Sequence, residues 1–365
     1  MRSIKFTSLF LTLCFALCSC RVNAELQSQN ANSQSEQAKT QETKRPRAAV
    51  DPKKFAVIIA GVGGEEAYTR KFTSQALQLR DALTQDLGFD EKQVYLLAET
   101  AAAGPEDGSR ETLLRSTAEE TRKAFDAIKA AAAPDSFIFV ALIGHGSFDG
   151  RDAKFNLVGP DLSAKDYAAI LSSLPAKKIV FANCASSSGE FIKPLSGKDR
   201  IIITATRSGN EQNATIFAEN FIAGLTAAGA DADKNGRTSV LEVFNYATHL
   251  TAEWYKQKGR LATEHALIDD NGDGTGHEDA TAGDGALAKT NYIDSKTAEQ
   301  ASADAEIIKL IERRQELEEE IEKLKARKEQ MKTEEYEAEL ERLLVELATA
   351  NQKIKAGKKP AGKKP

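Results

Sequence analysis

The chain has 365 residues, 49 basic and 54 acidic side chains, a formal net charge of −5 and 41% hydrophobic residues. This balance excludes the strongly basic surface that a nucleic-acid partner requires. The apolar residues suffice for a sizeable core, but both ends are compositionally biased and only the middle reads as globular.

Residues 1–24 read as an export signal: Arg2 and Lys5, then an apolar run from Phe6 to Leu17, then small residues. The run is shorter than a membrane-spanning helix needs. Two processing routes stay open. One is cleavage after Ala24, with Val22 and Ala24 as the specificity positions; the other is lipidation of Cys20 within Leu17-Cys-Ser-Cys20, which attaches the body to a membrane. Both predict an exported protein of the bacterial periplasm or cell envelope. The cysteines are Cys14, Cys18, Cys20 and Cys184, so the exported body keeps one free thiol and forms no internal disulfide. An unpaired thiol in an oxidising compartment is a liability unless it is buried or used.

Residues 25–54 are predicted to be a disordered tether or removable pro-segment, because Gln, Ser, Asn and Ala dominate it through Val50. A strand follows at Phe55–Ala60, closing in Gly61-Val-Gly-Gly64, which lacks the third glycine of a dinucleotide fingerprint. The spacing of Phe72, Ala76, Leu79, Leu83 and Leu87 predicts a helix over 69–87, stopped at Gly88. A strand over 93–97 and a loop around Gly104–Gly108 lead to a helix over 111–131, ended by Pro134. Strands are predicted over 136–143, 155–158, 178–183 and 200–206, with helices over 163–174 and 215–226. Helices alternating with apolar runs imply one α/β domain over 55–280, its mostly parallel sheet covered on both faces.

Two of these strands end in reactive residues. Ser136–Ile143 passes into Gly144-His145-Gly146, and Lys178-Ile-Val-Phe-Ala-Asn183 into Cys184 and the small residues Ala185–Gly189. Open α/β sheets bind ligands at their carboxyl edge, and a thiol beside an imidazole is the minimal unit of cysteine nucleophilic catalysis. The flanking glycines leave room around His145, and the small residues after Cys184 are expected to leave its sulfur uncovered. Each residue alone is more often structural: a buried small hydrophobe and a hydrogen-bonded ring. His249 falls on a helix and His265 and His277 in loops, away from the strand ends.

Asp231-Ala-Asp-Lys-Asn-Gly-Arg-Thr-Ser-Val-Leu-Glu242 matches a calcium-binding helix–loop–helix loop at positions one, three, five, six and twelve. The expected ligands are Asp231, Asp233, Asn235, Arg237 at position seven and Glu242, with Gly236 at the sharp turn. Thr238 stands where an apolar residue is usual. Asp269-Asp-Asn-Gly-Asp-Gly274 is a second carboxylate-rich turn without a closing glutamate. The competing account of both is an Asx turn whose aspartates cap helices.

A polar linker is predicted over 281–300. In the segment 301–352, Ile307, Leu310, Leu317, Ile321, Leu324 and Met331 follow three-four spacing, interrupted by Arg314 and Lys328. The phase breaks near Thr333 and resumes through Tyr336, Leu340, Leu343 and Leu347, as in a helical hairpin or a long coiled coil with a skip. The coiled-coil reading predicts a homo-oligomer. Residues 353–365 are a basic tail with two Gly-Lys-Lys-Pro repeats, expected to be disordered.

Phe139-Val-Ala-Leu-Ile-Gly-His-Gly146, Lys178-Ile-Val-Phe-Ala-Asn-Cys184 and Ile203-Thr-Ala-Thr-Arg-Ser-Gly209 together resemble the caspase–haemoglobinase peptidases, nearest the legumain-like branch. The resemblance spans about Phe55 to Gly274 and implies a three-layer α/β fold. It further implies an endopeptidase acting on polypeptides through a thioacyl-enzyme, with no cofactor in the reaction. By position, Cys184 is the nucleophile, His145 the acid/base, and the N–H groups of Gly146 and Cys184 the oxyanion donors. Asn183 stands where the family has a small residue, and the family includes inactive relatives. The alternative is therefore a catalytically inactive, calcium-stabilised interaction module that oligomerises through its coiled coil.

Overall fold

Six or seven apolar residues in succession give a strand no polar face, so both of its faces must be covered. The strands Lys54–Ala60 (β1) and Phe137–Ile143 (β4) are buried at every position and lie side by side in parallel. The structure, a computed structural model, describes residues 48–100, 113–234, 237–280, 283–295, 305–328 and 331–357. Its main sheet adds Val94–Ala98 (β2), Leu114–Arg115 (β3), Lys178–Asn183 (β8), Arg200–Thr204 (β9) and Leu267–Asp269 (β10). The seven strands run in the order β10-β9-β8-β4-β1-β2-β3, and β10 alone is antiparallel to its neighbour.

Alternation along the strands divides the core into two layers. Ile58, Phe139, Val180 and Ile201 pack with Phe72 and Leu79 of helix Glu66–Asp81 (α1), Phe221 of Phe217–Thr226 and Phe244 of Val240–Gln257. Val57, Val140, Phe181 and Ile202 pack with Phe125 of Ala118–Ala131 and Tyr167 of Ala164–Ser173. The expected mostly parallel α/β sheet with helices on both faces is present.

Several boundaries differ from the sequence reading. The helix expected over 111–131 starts at Ala118, where Thr117 accepts a hydrogen bond from the Glu120 N–H as its N-cap, and Leu114–Arg115 pairs with β2 instead. The strand expected over 155–158 lies at Ala153–Phe155, in a separate antiparallel sheet with Gly146–Phe148 and Leu162–Ser163. Neither β3 nor β10 carries a run long enough to announce itself. The tether expected over 25–54 does not reach 54. Ala48 is buried, Asp51 bridges to Phe89, and Lys54 opens β1. The linker expected over 281–300 also joins the fold through Asp284, Ala288, Ile293 and Ser295, all buried. The Ser295 hydroxyl donates to the Ala49 carbonyl, tying the two ends of the domain together. Residues 1–47, with the signal, Cys20 and most of the tether, lie outside the described residues, as do 358–365 of the basic tail.

The C-terminal segment is a helical hairpin. Helices Ala305–Ala326 and Thr333–Gly357 bury Leu317, Ile321, Leu324 and Leu343 between them, with Met331, Tyr336, Leu340 and Leu347 at the margin. Arg313 reaches Glu346 on the opposite helix at 2.9 Å. The apolar seam therefore finds its cover within one chain, and a partner is not needed to shield it. Among the described residues no helix is long and apolar enough to cross a membrane.

Among the described residues Lys54 is the most deeply buried lysine or arginine, 5% exposed. Its ammonium donates to the Ile293 carbonyl and lies over the Phe89 and Phe137 rings, 5.1 and 5.5 Å from their centres. Burial brings its pKa down to about 7, against a partial offset from Asp294. Between that value and about 10.5 the unfolded chain binds the extra proton, so this residue makes stability rise with pH across the window. Relative to Lys54→Met, the parent should gain on the order of 1 kcal/mol of stability per pH unit from pH 7 to 9. Urea denaturation at several pH values measures this, and parallel curves for the two proteins would refute it.

Candidate functional site

The register of β4 on β8 brings the two reactive residues to one edge. Leu142 pairs with Asn183, so Gly144-His145 and Cys184 leave the sheet side by side at its carboxyl end. They also share a side. The Cys184 side chain belongs to the buried layer that contains Phe72 of α1, and the His145 ring packs edge-on against Tyr68 and Phe72, at 4.9 and 5.0 Å.

The environment of His145 favours the neutral ring. Desolvation lowers its pKa most and the Lys71 charge adds to this, while a backbone hydrogen bond to Gly63 opposes both. Gly63 lies in the turn after β1 and is held there: Glu99 at the end of β2 accepts its N–H at 3.1 Å and the Thr69 hydroxyl at 2.6 Å. A side chain at position 63 would meet the Thr69 amide nitrogen at 2.3 Å, so only glycine fits. An imidazole biased toward its neutral form by burial has the character of a general base.

Cys184 differs from the expectation. Its sulfur is not left uncovered: the residue is 2% exposed and packs in the core layer that holds Phe72, and the small residues Ala185–Gly189 are themselves buried. Burial pushes the thiol pKa up, and the nearby Glu264 carboxylate pushes it the same way. Glu264 is buried behind the thiol, where it accepts the N–H groups of Ile216 and Phe217 at 2.9 and 3.1 Å and the Tyr255 hydroxyl at 3.0 Å. No hydrogen bond joins His145 to the sulfur among the described residues.

Both expected oxyanion donors are occupied. The Cys184 N–H donates to the Leu142 carbonyl at 2.8 Å, continuing the sheet ladder, and the Gly146 N–H donates to the Ser186 hydroxyl at 3.1 Å. As a ladder donor Cys184 N–H is fixed in the sheet, which removes it from the oxyanion role in this arrangement. The Gly146 N–H is released by a side-chain rotation of Ser186. Asn183, the departure from the family pattern, uses its side-chain oxygen to accept the Ala185 N–H at 3.1 Å, shaping the turn that follows the strand.

The other histidines stand apart from the pair. His249 is exposed, His265 Nδ1 lies 2.5 Å from Glu211, and His277 Nδ1 lies 2.5 Å from the buried Asp284, whose carboxylate raises the His277 pKa. The Thr215 hydroxyl donates to the Cys184 carbonyl at 2.6 Å. Lys71, Glu99, Thr215, Glu264 and Gly63 thus all surround the pair, yet none forms a sequence motif with Cys184 or His145, because folding alone assembles them.

At the first acidic loop, Asp231, Asp233 and Glu242 each bring one carboxylate oxygen within 4.8 Å of the others. Glu242 is already engaged: one oxygen accepts the Ala232 and Asp233 N–H groups, and the other the N–H and hydroxyl of Ser239. Four donors fill a carboxylate's lone pairs, which accounts for Glu242 as the cap of both the loop and the following helix. The Arg237 side chain turns away to pair with Asp294 at 2.6 Å and to lie over the Tyr292 ring. Asn235 lies outside the described residues. At the second loop, Asp269 accepts the N–H groups of Gly272 and Gly274, and Asp270 those of Gly285 and Ala288. Buried aspartates are thus spent on backbone donors, local for Asp269 and distant for Asp270, while Asn271 and Asp273 make Asx turns by accepting the N–H groups of Asp273 and Thr275.

A cavity of about 520 Å³ lies at the opposite, amino edge of the sheet, between the body and the C-terminal hairpin, bordered by Lys54, Lys178, Glu318 and Leu347. Lys54 and Lys178 are the first residues of β1 and β8, so the full length of the sheet separates this cavity from Cys184.

No family model matches the chain, and no curated protein matches it. Among solved structures, protein GSU0716 from Geobacter sulfurreducens is similar at 12% identity and a TM-score of 0.37, over 60% of this chain and 93% of that one.

If Glu242 caps the loop without a metal, Glu242→Ala should destabilise the protein by about 2 kcal/mol in the presence of a chelator. Equal urea midpoints for parent and variant in EDTA would remove this account and favour a ligand that acts only with its ion.

Proposed function

We propose that the chain is an exported cysteine-type endopeptidase of the caspase–haemoglobinase kind, nearest its legumain-like branch. Cys184 is its nucleophile and His145 its acid/base. The observation that carries the reading is the β4–β8 pairing, which delivers an imidazole and a thiol to one edge and one side of the sheet, with burial shifting the imidazole toward its neutral form. In this scheme His145 takes the thiol proton as sulfur attacks the peptide carbonyl. The amine leaves with that proton and a thioacyl-enzyme remains. Water, deprotonated by the same ring, then releases the acid and restores the thiol. The Gly146 N–H faces the developing oxyanion once Ser186 turns away.

The buried thiol of raised pKa is not a reactive nucleophile as it stands, so the reading requires the described arrangement to be a resting form. The same burial favours a second reading, an inactive interaction module in which Cys184 is a core residue. Calcium at the first acidic loop is a subsidiary proposal resting on the convergence of Asp231, Asp233 and Glu242. It requires a calcium-dependent rise in melting temperature that Asp233→Ala abolishes.

Cleavage of a peptide library by the purified protein separates the two main readings. Cys184→Ala should remove turnover while preserving the melting temperature to within a few degrees, since the site is small. His145→Ala should lower kcat by at least about 10²-fold, and the double variant should be scarcely worse than either single one. Parental turnover by Cys184→Ala would end the peptidase reading.

A further inference from the structure

Lys54 is a buried cation without a counter-ion. It is 5% exposed and its ammonium donates to the Ile293 carbonyl, but among the described residues no carboxylate forms an ion pair with it. Asp294, whose charge acts on Lys54, is engaged elsewhere. It pairs with Arg237 at 2.6 Å, both side chains 11% exposed, and Arg237 in turn lies over the Tyr292 ring. Buried ammonium groups are otherwise almost always paired. An anion has room beside this one, because Lys54 borders the cavity of about 520 Å³ between the body and the hairpin, a volume typical of small-molecule sites.

The lining states what kind of anion fits. Its cations are Lys54, Lys178, Arg237, Lys289 and Lys325, and its carboxylates are Asp51, Asp233, Asp294 and Glu318. Among the described residues the lining therefore has one positive charge in excess when Lys54 is protonated, which a monoanion balances. Burial raises the Glu318 pKa, and protonation there only adds to the excess. The hairpin supplies an apolar part through Ile321, Leu344 and Leu347, and Leu344 keeps 47% of its surface exposed. Leucine and isoleucine facing a cationic floor suit a ligand with a hydrocarbon chain and one negative head.

We propose that this cavity binds a single-chain organic carboxylate of the fatty-acid class, its head paired with Lys54 and its tail against Ile321, Leu344 and Leu347. The site is independent of the peptidase reading, since the length of the sheet separates it from Cys184. The carboxylate gives Lys54 the counter-ion that the fold withholds and so stabilises its charged form. Burial sets the pKa of the unliganded lysine at about 7, so binding above that pH takes up a proton.

Isothermal titration calorimetry of the full chain with decanoate, kept below its micelle concentration, tests this. One equivalent should bind. Acetate and 1-decanol should each bind at least about tenfold more weakly, since each lacks half of the recognition. Affinity should fall by up to about tenfold per pH unit from about pH 7 to 9, with a heat that varies with the ionisation enthalpy of the buffer as the proton is taken up. Lys54→Met should remove the pH dependence and at least about tenfold in affinity. Leu344→Ser, at an exposed position that leaves the fold intact, should cost at least about threefold. Equal binding of decanoate and 1-decanol overturns the proposal, as does undiminished affinity in a Lys54→Met protein that is folded by circular dichroism. Uptake of several equivalents regardless of Lys54 and Leu344 marks adsorption of a surfactant and also overturns it. Should Lys54→Met fail to fold, an affinity that is flat across the same pH range and unaltered by Leu344→Ser overturns the site.

Discussion

The parallel pairing of β4 with β8 is the constraint on which the rest of the molecule depends. Both strands are apolar runs within a sheet covered on both faces, and their contact extends from Phe137–Lys178 to Leu142–Asn183. A slip of one residue would turn Phe139 and Val180 out of one layer and Val140 and Phe181 out of the other. The hydrophobic effect, acting through the register, thus sets where His145 and Cys184 leave the sheet. Neither needs any local preference of its own to reach that edge.

The same burial sets the central tension of the site. A thiol attacks as thiolate, and a thiolate needs solvent or positive charge near it. Cys184 has neither: it is enclosed, and the carboxylate beside it, Glu264, disfavours the anion further. His145, by contrast, is tuned toward the neutral form that a base requires. Burial therefore favours the neutral imidazole of His145 and disfavours the thiolate of Cys184.

The ends of the domain follow from polar satisfaction more than from apolar area. Residues 48–54 and 283–295 contain few large hydrophobic side chains, yet they are fixed because buried polar groups elsewhere need them. The Lys54 ammonium takes the Ile293 carbonyl, Asp270 takes the backbone N–H groups of Gly285 and Ala288, and Ser295 takes the Ala49 carbonyl. Each group would be left unsatisfied in the core without its partner. Arg237 obeys the same logic, paired with Asp294 where both side chains are 11% exposed.

The sequence by itself determined the features that rest on periodicity and on near neighbours. Continuous apolar runs announced the parallel sheet, and three-four spacing announced the C-terminal helices. The helix expected over 163–174 is present, and the structure adds the capping box of Ser163 with Asp166 at its start. The placement of His145 and Cys184 at strand ends was legible for the same reason. Tertiary structure alone decided what depends on residues far apart in the chain. The packing of the His145 ring comes from Tyr68 and Phe72, and the carboxylate near the Cys184 thiol from Glu264. The short strands β3 and β10 likewise exist only because β2 and β9 offer them a ladder. The break near Thr333 was compatible with a long helix or a hairpin. Packing of Leu343 against Leu317, Ile321 and Leu324 chose the hairpin, because burying the seam within one chain needs no second molecule.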